Sequence, residues 1–163
     1  MNYFESINPT NGKIIKEYLV LKNDELNEIL LNTDKRFDFW KKNSVDERST
    51  YFLEIAEIID QKKNELSVLL ASEMGKPIMQ GKAEIEKCAL LCRYYANNAA
   101  LFLKDDIIKT EASKSYATFQ PLGIILGIMP WNFPFWQVFR FAVPTMIAGN
   151  TILLKHAPNV LGC

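Results

Sequence analysis

Between residues 24 and 103 the apolar positions recur every three or four residues, the spacing of one face of a helix. Leu26, Ile29, Leu30, Thr33, Phe37 and Trp40 predict a first helix over 24–42, capped by Asn23 and acidic in its first turn. Ser44-Val45-Asp46-Glu47 has the form of a capping box and opens a second, with Tyr51, Phe52, Ile55, Ile58 and Ile59 facing inward. Asn64 restarts the helix, and Leu66, Leu69 and Leu70 form the next buried face. Gly75 stops it, with Pro77 following. Ile85, Cys88, Cys92, Tyr95, Ala99 and Phe102 then predict a long amphipathic helix over 78–103.

Elsewhere the period changes. Phe4/Ile7 and Ile14/Ile15 flank a stretch with Asn-Pro and Asn-Gly, which predicts a small amino-terminal hairpin. Asp105-Asp106 ends the third helix, and 107–110 and 115–120 read as two strands around the polar turn 111–114. Ile124 to Met129 is an almost wholly apolar run, the pattern of a parallel strand buried on both faces. Pro130 ends it, Trp131-Asn132-Phe133 form a loop, and Pro134 suits the first turn of a helix. That helix reaches about Ile147, with Pro144 kinking or shortening it. After Gly149-Asn150, Thr151 to Leu154 is a second strand that delivers Lys155 at its carboxyl end. Strand, crossover and strand make a right-handed βαβ unit, whose ligands bind at the carboxyl ends of the strands. Trp131, Asn132 and Lys155 all fall there. One such unit does not complete an α/β sheet, since its strands need neighbours on both sides, so the chain reads as a piece.

Composition narrows the class. A chain of 163 residues with 48% hydrophobic and 23% charged residues suits one folded domain, or one and a part. Nineteen basic and nineteen acidic residues favour neither nucleic acid nor an anionic membrane. Three unevenly spaced cysteines argue against a disulfide framework and fit a reducing, cytoplasmic setting. The first five residues lack the form of a signal peptide. The prolines, glycines and polar residues between Ile124 and Leu154 break any membrane-spanning run. Cys88 and Cys92 share a helical face but lack a further Cys/His pair of zinc spacing, so they read as packed small hydrophobes.

The runs PLGIILGIMPWNFPFW and AGNTILLKHAPNV resemble the aldehyde dehydrogenase superfamily, and the ending LLKHAPNVLGC most resembles its succinate-semialdehyde dehydrogenase branch. The opening around Asn8-Pro9 and the segment Glu73-Met74-Gly75-Lys76-Pro77 are similar to the family too. The resemblance implies an α/β fold: amino-terminal helices (residues 1–106), a bridging and oligomerisation hairpin (107–120), and the first βαβ unit of a Rossmann-like NAD(P)-binding domain (121–163). It implies no catalytic domain within the chain.

By that resemblance, carried by the intact Pro130-Trp131-Asn132-Phe133-Pro134, Asn132 donates its amide N–H to the substrate oxygen that becomes an oxyanion under thiolate attack; without those flanking residues it reads as a turn asparagine bonding its own backbone. Lys155 matches the lysine that bonds the adenosine ribose of NAD or NADP, and Met129, Pro130 and Trp131 would line the cofactor groove. Many NAD-preferring members carry an acidic residue three positions beyond that lysine; here it is Pro158. His156 has no identified partner carboxylate, Lys76 reads as an exposed lysine, and Glu84 and Glu86 as surface charges. Cys163 does not match the family's nucleophile, and the general-base glutamate and a later phosphate turn are expected outside the chain. The reading is a fragment of an oligomeric NAD(P)-dependent enzyme that oxidises a small aldehyde, succinic semialdehyde by the tail motif. The fragment is expected to be inactive alone. The alternative is a non-catalytic binding or assembly module derived from the same fold.

Overall fold

A computed structural model describes residues 3–163, so the sequence reading of Met1 and Asn2 lies outside it. Strands β1 (Tyr3–Ile7) and β2 (Ile14–Leu19) form the expected antiparallel hairpin, with Ile7 opposite Ile14. The Asn8 and Asn11 side chains accept from the N–H groups of Thr10 and Lys13, and Gly12 turns the chain at φ +69°.

Helix α1 (Asn23–Trp40) begins one residue earlier than its apolar pattern suggests. The cap is Lys22 rather than Asn23, because the Glu25 carboxylate accepts from the Lys22 N–H at 2.7 Å. No residue of α1 is buried; its apolar face rests loosely on the strand pair described below. Helix α2 (Val45–Met74) opens with the expected reciprocal box: Ser44 accepts from the Glu47 N–H, and Glu47 accepts from the Ser44 N–H. It runs unbroken through Asn64, where a restart was expected, since an isolated polar residue on a solvated face does not interrupt the backbone ladder. Gly75 ends it in the left-handed conformation at φ +70°. The turn Gly75-Lys76-Pro77 folds α3 (Ile78–Phe102) back along α2.

The core lies where α2, α3 and α4 (Pro134–Ile147) meet. Phe52, Ala56, Ile59 and Leu70 face Ile85, Cys88, Ala89, Cys92, Ala96 and Ala99, with Val143 and Ile147 closing one side. Several of these are alanines, which let the backbones approach closely. The buried face of α2 is accordingly narrower than the apolar pattern: Tyr51 and Ile58 are about half exposed. Phe102 is also exposed.

Two further strand pairs follow. Asp106–Ile107 (β3) pairs antiparallel with Tyr116–Ala117 (β4), much shorter than the expected strands 107–110 and 115–120. β5 (Ile124–Ile128) and β6 (Thr151–Lys155) are parallel, with Ile124 opposite Thr151 and Ile128 opposite Lys155. Helix α4 is the crossover, with Pro134 in its first turn and Pro144 accommodated three residues before its end. Asn150 ties the unit together: its Oδ1 accepts from the N–H groups of Leu122 and Gly123 at 2.7 and 3.1 Å, and its Nδ2 donates to the Thr145 carbonyl. β5 is not buried on both faces as its apolar run suggests. Leu126 is 60% and Ile128 68% exposed, because a two-stranded sheet covers little of either side. Among the described residues no helix is long and apolar enough to cross a membrane.

Candidate active site

Parallel pairing sets the first half of the site. The Met129 N–H donates to the Lys155 carbonyl at 3.1 Å, one step past the last paired residues, so the two strands end side by side. Pro130, Trp131 and the Lys155 side chain are exposed at that edge. The structure thus brings Met129, Pro130, Trp131 and Lys155 to one edge. Lys155 is a cation with no side-chain partner among the described residues, and its three N–H donors suit a ribose hydroxyl or a phosphate.

Asn132 sits one residue beyond, where the chain turns into α4. Its side chain makes no hydrogen bond among the described residues, so it does not serve as a turn asparagine bonding its own backbone. It borders a cavity of about 540 Å³ lined by Gln80, Ala83 and Lys87 of α3 and by Phe133, Trp136 and Gln137. Lys87 extends its ammonium over the Trp136 ring, 3.9 Å from the centroid. The lining is largely apolar with a few polar groups, the usual character of a small-molecule site.

The polar residues beneath this loop correct two expectations. Glu84 is buried, not a surface charge, and Lys76 is buried, not exposed. The two form an ion pair with side chains 1% and 6% exposed. Lys76 also donates to the Asn132 carbonyl at 2.9 Å and lies over the Phe133 ring at 3.9 Å. The Glu84 Oε1 accepts from the N–H groups of Phe135 and Trp136, both at 3.0 Å. Helix α4 has no side-chain cap of its own, and this carboxylate takes the place of one at the positive end of its dipole. Glu84 could have been found: Gly81, Glu84, Ile85 and Cys88 share the helical spacing of the buried face. Lys76 follows a helix-terminating glycine, and no periodicity marks it. Glu86 is exposed, as expected, and pairs with Lys63.

The thiols have a different character. Cys88 and Cys92 are fully buried; burial raises the Cys88 thiol well above its usual range and pushes Cys92 up to about 12. Cys163 is raised by burial and by its hydrogen bond to Glu73, whose carboxylate also accepts from the Gly162 and Cys163 N–H groups and from the Ser6 hydroxyl. A reactive thiol needs the opposite environment, one that favours the thiolate. His156 lies with Nε2 3.4 Å from the Pro134 carbonyl, and no carboxylate among the described residues bonds it. Among the described residues no group of three His, Cys, Asp or Glu could hold a metal ion.

A model of the aldehyde dehydrogenase family matches residues 1–162. A probable succinate-semialdehyde dehydrogenase [NADP(+)] of Synechocystis sp. is 44% identical over 97% of this chain. Among solved structures, that of Gox0499 superimposes over 100% of the chain with a TM-score of 0.96 and 32% identity. The succinic semialdehyde dehydrogenase of Streptococcus pyogenes, solved with NADP+, superimposes over 96% with a TM-score of 0.91 and 27% identity. The chain spans about 35% of the length of these relatives.

Proposed function

The chain belongs to the aldehyde dehydrogenase family, and on that premise we propose that it is the amino-terminal part of an NADP-dependent enzyme that oxidises succinic semialdehyde to the acid. In that reading residues 1–106 buttress the site, 107–120 form a bridging hairpin to a neighbouring subunit, and 121–163 begin the cofactor-binding sheet. The observation that carries it is Asn132: a side-chain amide without a partner among the described residues, on a backbone held from below, at the edge of a cavity of about 540 Å³.

The roles in this reading are those of the family's chemistry. A thiolate supplied from outside these 163 residues adds to the aldehyde carbon, and the carbonyl oxygen takes the negative charge. Asn132 donates its Nδ2–H to that oxygen. Its donor is aimed at charge that develops only as the reaction proceeds, so it accelerates the step rather than merely binding substrate. NADP+, held by Lys155 beside Met129, Pro130 and Trp131, would supply the hydride acceptor for the substrate carbon. Water then releases the acid from the thioester, with a carboxylate base also supplied from outside the chain. None of Cys88, Cys92 and Cys163 has the environment of an activated thiol, which supports placing the nucleophile elsewhere.

For the cofactor, Lys155 presents its donors at the strand end, and Met129, Pro130 and Trp131 form the adjoining wall. Position 158 holds a neutral, exposed proline, so no carboxylate there repels a ribose 2′-phosphate. That favours NADP, as in the names of the relatives.

The test has two arms. The purified 163-residue chain, given succinic semialdehyde and NADP+, forms no NADPH; turnover by it would overturn the placement of the nucleophile. Reading the coding frame beyond Cys163 is the second arm: a cysteine and a glutamate encoded there support the enzyme, and a stop codon directly after Cys163 overturns it. In the enzyme so defined, Asn132→Ala lowers kcat on the order of a hundredfold or more, and retention of full kcat overturns the oxyanion role.

A further inference from the structure

We propose that Lys76 and Glu84 are the positioning residues of Asn132, a buried ion pair that holds the loop 132–136 by its carbonyl on one side and its amides on the other. The inference rests on the oxyanion role of Asn132.

The contacts converge on one short segment. The Lys76 ammonium reaches the Glu84 carboxylate, the Asn132 carbonyl at 2.9 Å and the Phe133 ring at 3.9 Å. The Glu84 carboxylate returns along the same loop to the N–H groups of Phe135 and Trp136 at 3.0 Å each. Between these anchors lie Phe133 and Pro134, whose fixed φ leaves the backbone little freedom. The peptide unit that carries the Asn132 carbonyl is therefore fixed in orientation, and with it the direction in which the Asn132 side chain leaves the backbone. Nothing else among the described residues holds that side chain.

Stability alone does not account for such a pair. Burying two charges carries a large desolvation cost, and a shape-matched apolar pair in the same place is often as stable or more so. An apolar pair, however, cannot bond a chosen carbonyl and two chosen amides. What the charges contribute is geometry: an oxyanion donor displaced by about 1 Å can cost on the order of a hundredfold in rate.

The positioning role and a purely structural role separate experimentally. In the full-length enzyme, each of Lys76→Met and Glu84→Gln strands a buried charge or breaks the pair, and both lose thermal stability. The double variant K76M/E84Q removes both charges and recovers stability. If the pair positions Asn132, the double variant keeps a depressed kcat, lowered on the order of tenfold or more, with KM for NADP+ unchanged. Adding Asn132→Ala to it then costs less than in the wild-type background. If the pair only supports the fold, the double variant recovers kcat with its stability, and the inference is overturned. Glu84→Asp, which keeps both charges but draws the carboxylate back by one methylene, is measured in parallel. A fall in kcat at constant KM supports positioning even where the double variant fails to fold; an unchanged kcat overturns it. Failure of the underlying reading has its own signature, since Asn132→Ala in the wild-type background would then leave kcat intact.

Discussion

The Arg48 Nε–H donates to the Ile147 carbonyl at 2.8 Å, joining the first turn of α2 to the last residue of α4 across the core. The Arg48 guanidinium also reaches the Asn43 carbonyl, and Trp40 Nε1–H donates to the Met146 carbonyl at 2.8 Å. Helix α4 is thus held at its carboxyl end by a cation and an indole and at its amino end by the Glu84 carboxylate, the signs its dipole favours. Arg48→Met should leave the Ile147 carbonyl without its side-chain donor in a buried setting and destabilise the chain by about 2 kcal/mol. Urea unfolding of the purified chain, followed by circular dichroism, measures it; a midpoint equal to wild type would refute the clamp.

Gly127 is the second structural test. A Cβ placed on it lies 2.4 Å from a ring carbon of Phe141 and 3.0 Å from the Met129 methyl, so the strand and the crossover helix touch backbone to ring. Gly127→Val should cost about 1–3 kcal/mol through overpacking. Phe141→Leu in the same chain should restore part of that loss, and full additivity of the two changes would show that the contact does not matter.

Lys155 tests the cofactor edge. Its side chain is exposed, so Lys155→Ala should leave thermal stability of the full-length enzyme unchanged. A lost charge-assisted hydrogen bond corresponds to a rise of about tenfold to a hundredfold in KM for NADP+. Steady-state kinetics at saturating aldehyde checks this. An unchanged KM would remove Lys155 from the site.

The thiols predict an alkaline limit. Burial raises all three in the folded chain, Cys92 to about 12 from an ordinary value of 9.0, so between those values the folded chain retains protons that the unfolded chain has lost. The unfolded state then binds fewer protons, and stability falls as pH rises. The contribution is fully present below about pH 9 and declines above it. Denaturation midpoints taken on either side of that pH should show the decline, and Cys92→Ala should reduce it. At neutral pH a thiol reagent should modify the native chain slowly and the unfolded chain fast.

How much of this was legible beforehand differs by element. The caps were readable because they are local: Ser44 and Glu47 stand three residues apart, and Gly75 needs only its own φ. The βαβ unit was readable because an apolar run, three prolines and a second apolar run fall between Ile124 and Lys155. The start of α1 was misplaced by one residue because a glutamate three positions on, rather than the asparagine, supplies the acceptor.

What the sequence by itself determined is therefore the order of the elements, the loop that carries Asn132 and the strand that carries Lys155, since each depends on residues within a few positions of one another. What only the tertiary structure decided is the support beneath that loop. Lys76 lies 56 residues from Asn132, and Glu84 lies 51 from Phe135. A charged residue in a helical sequence ordinarily faces water. Whether it does is settled by what packs over it, and here α4 lays its amino terminus on α3, turning two residues that read as surface charges into the buried pair under the site.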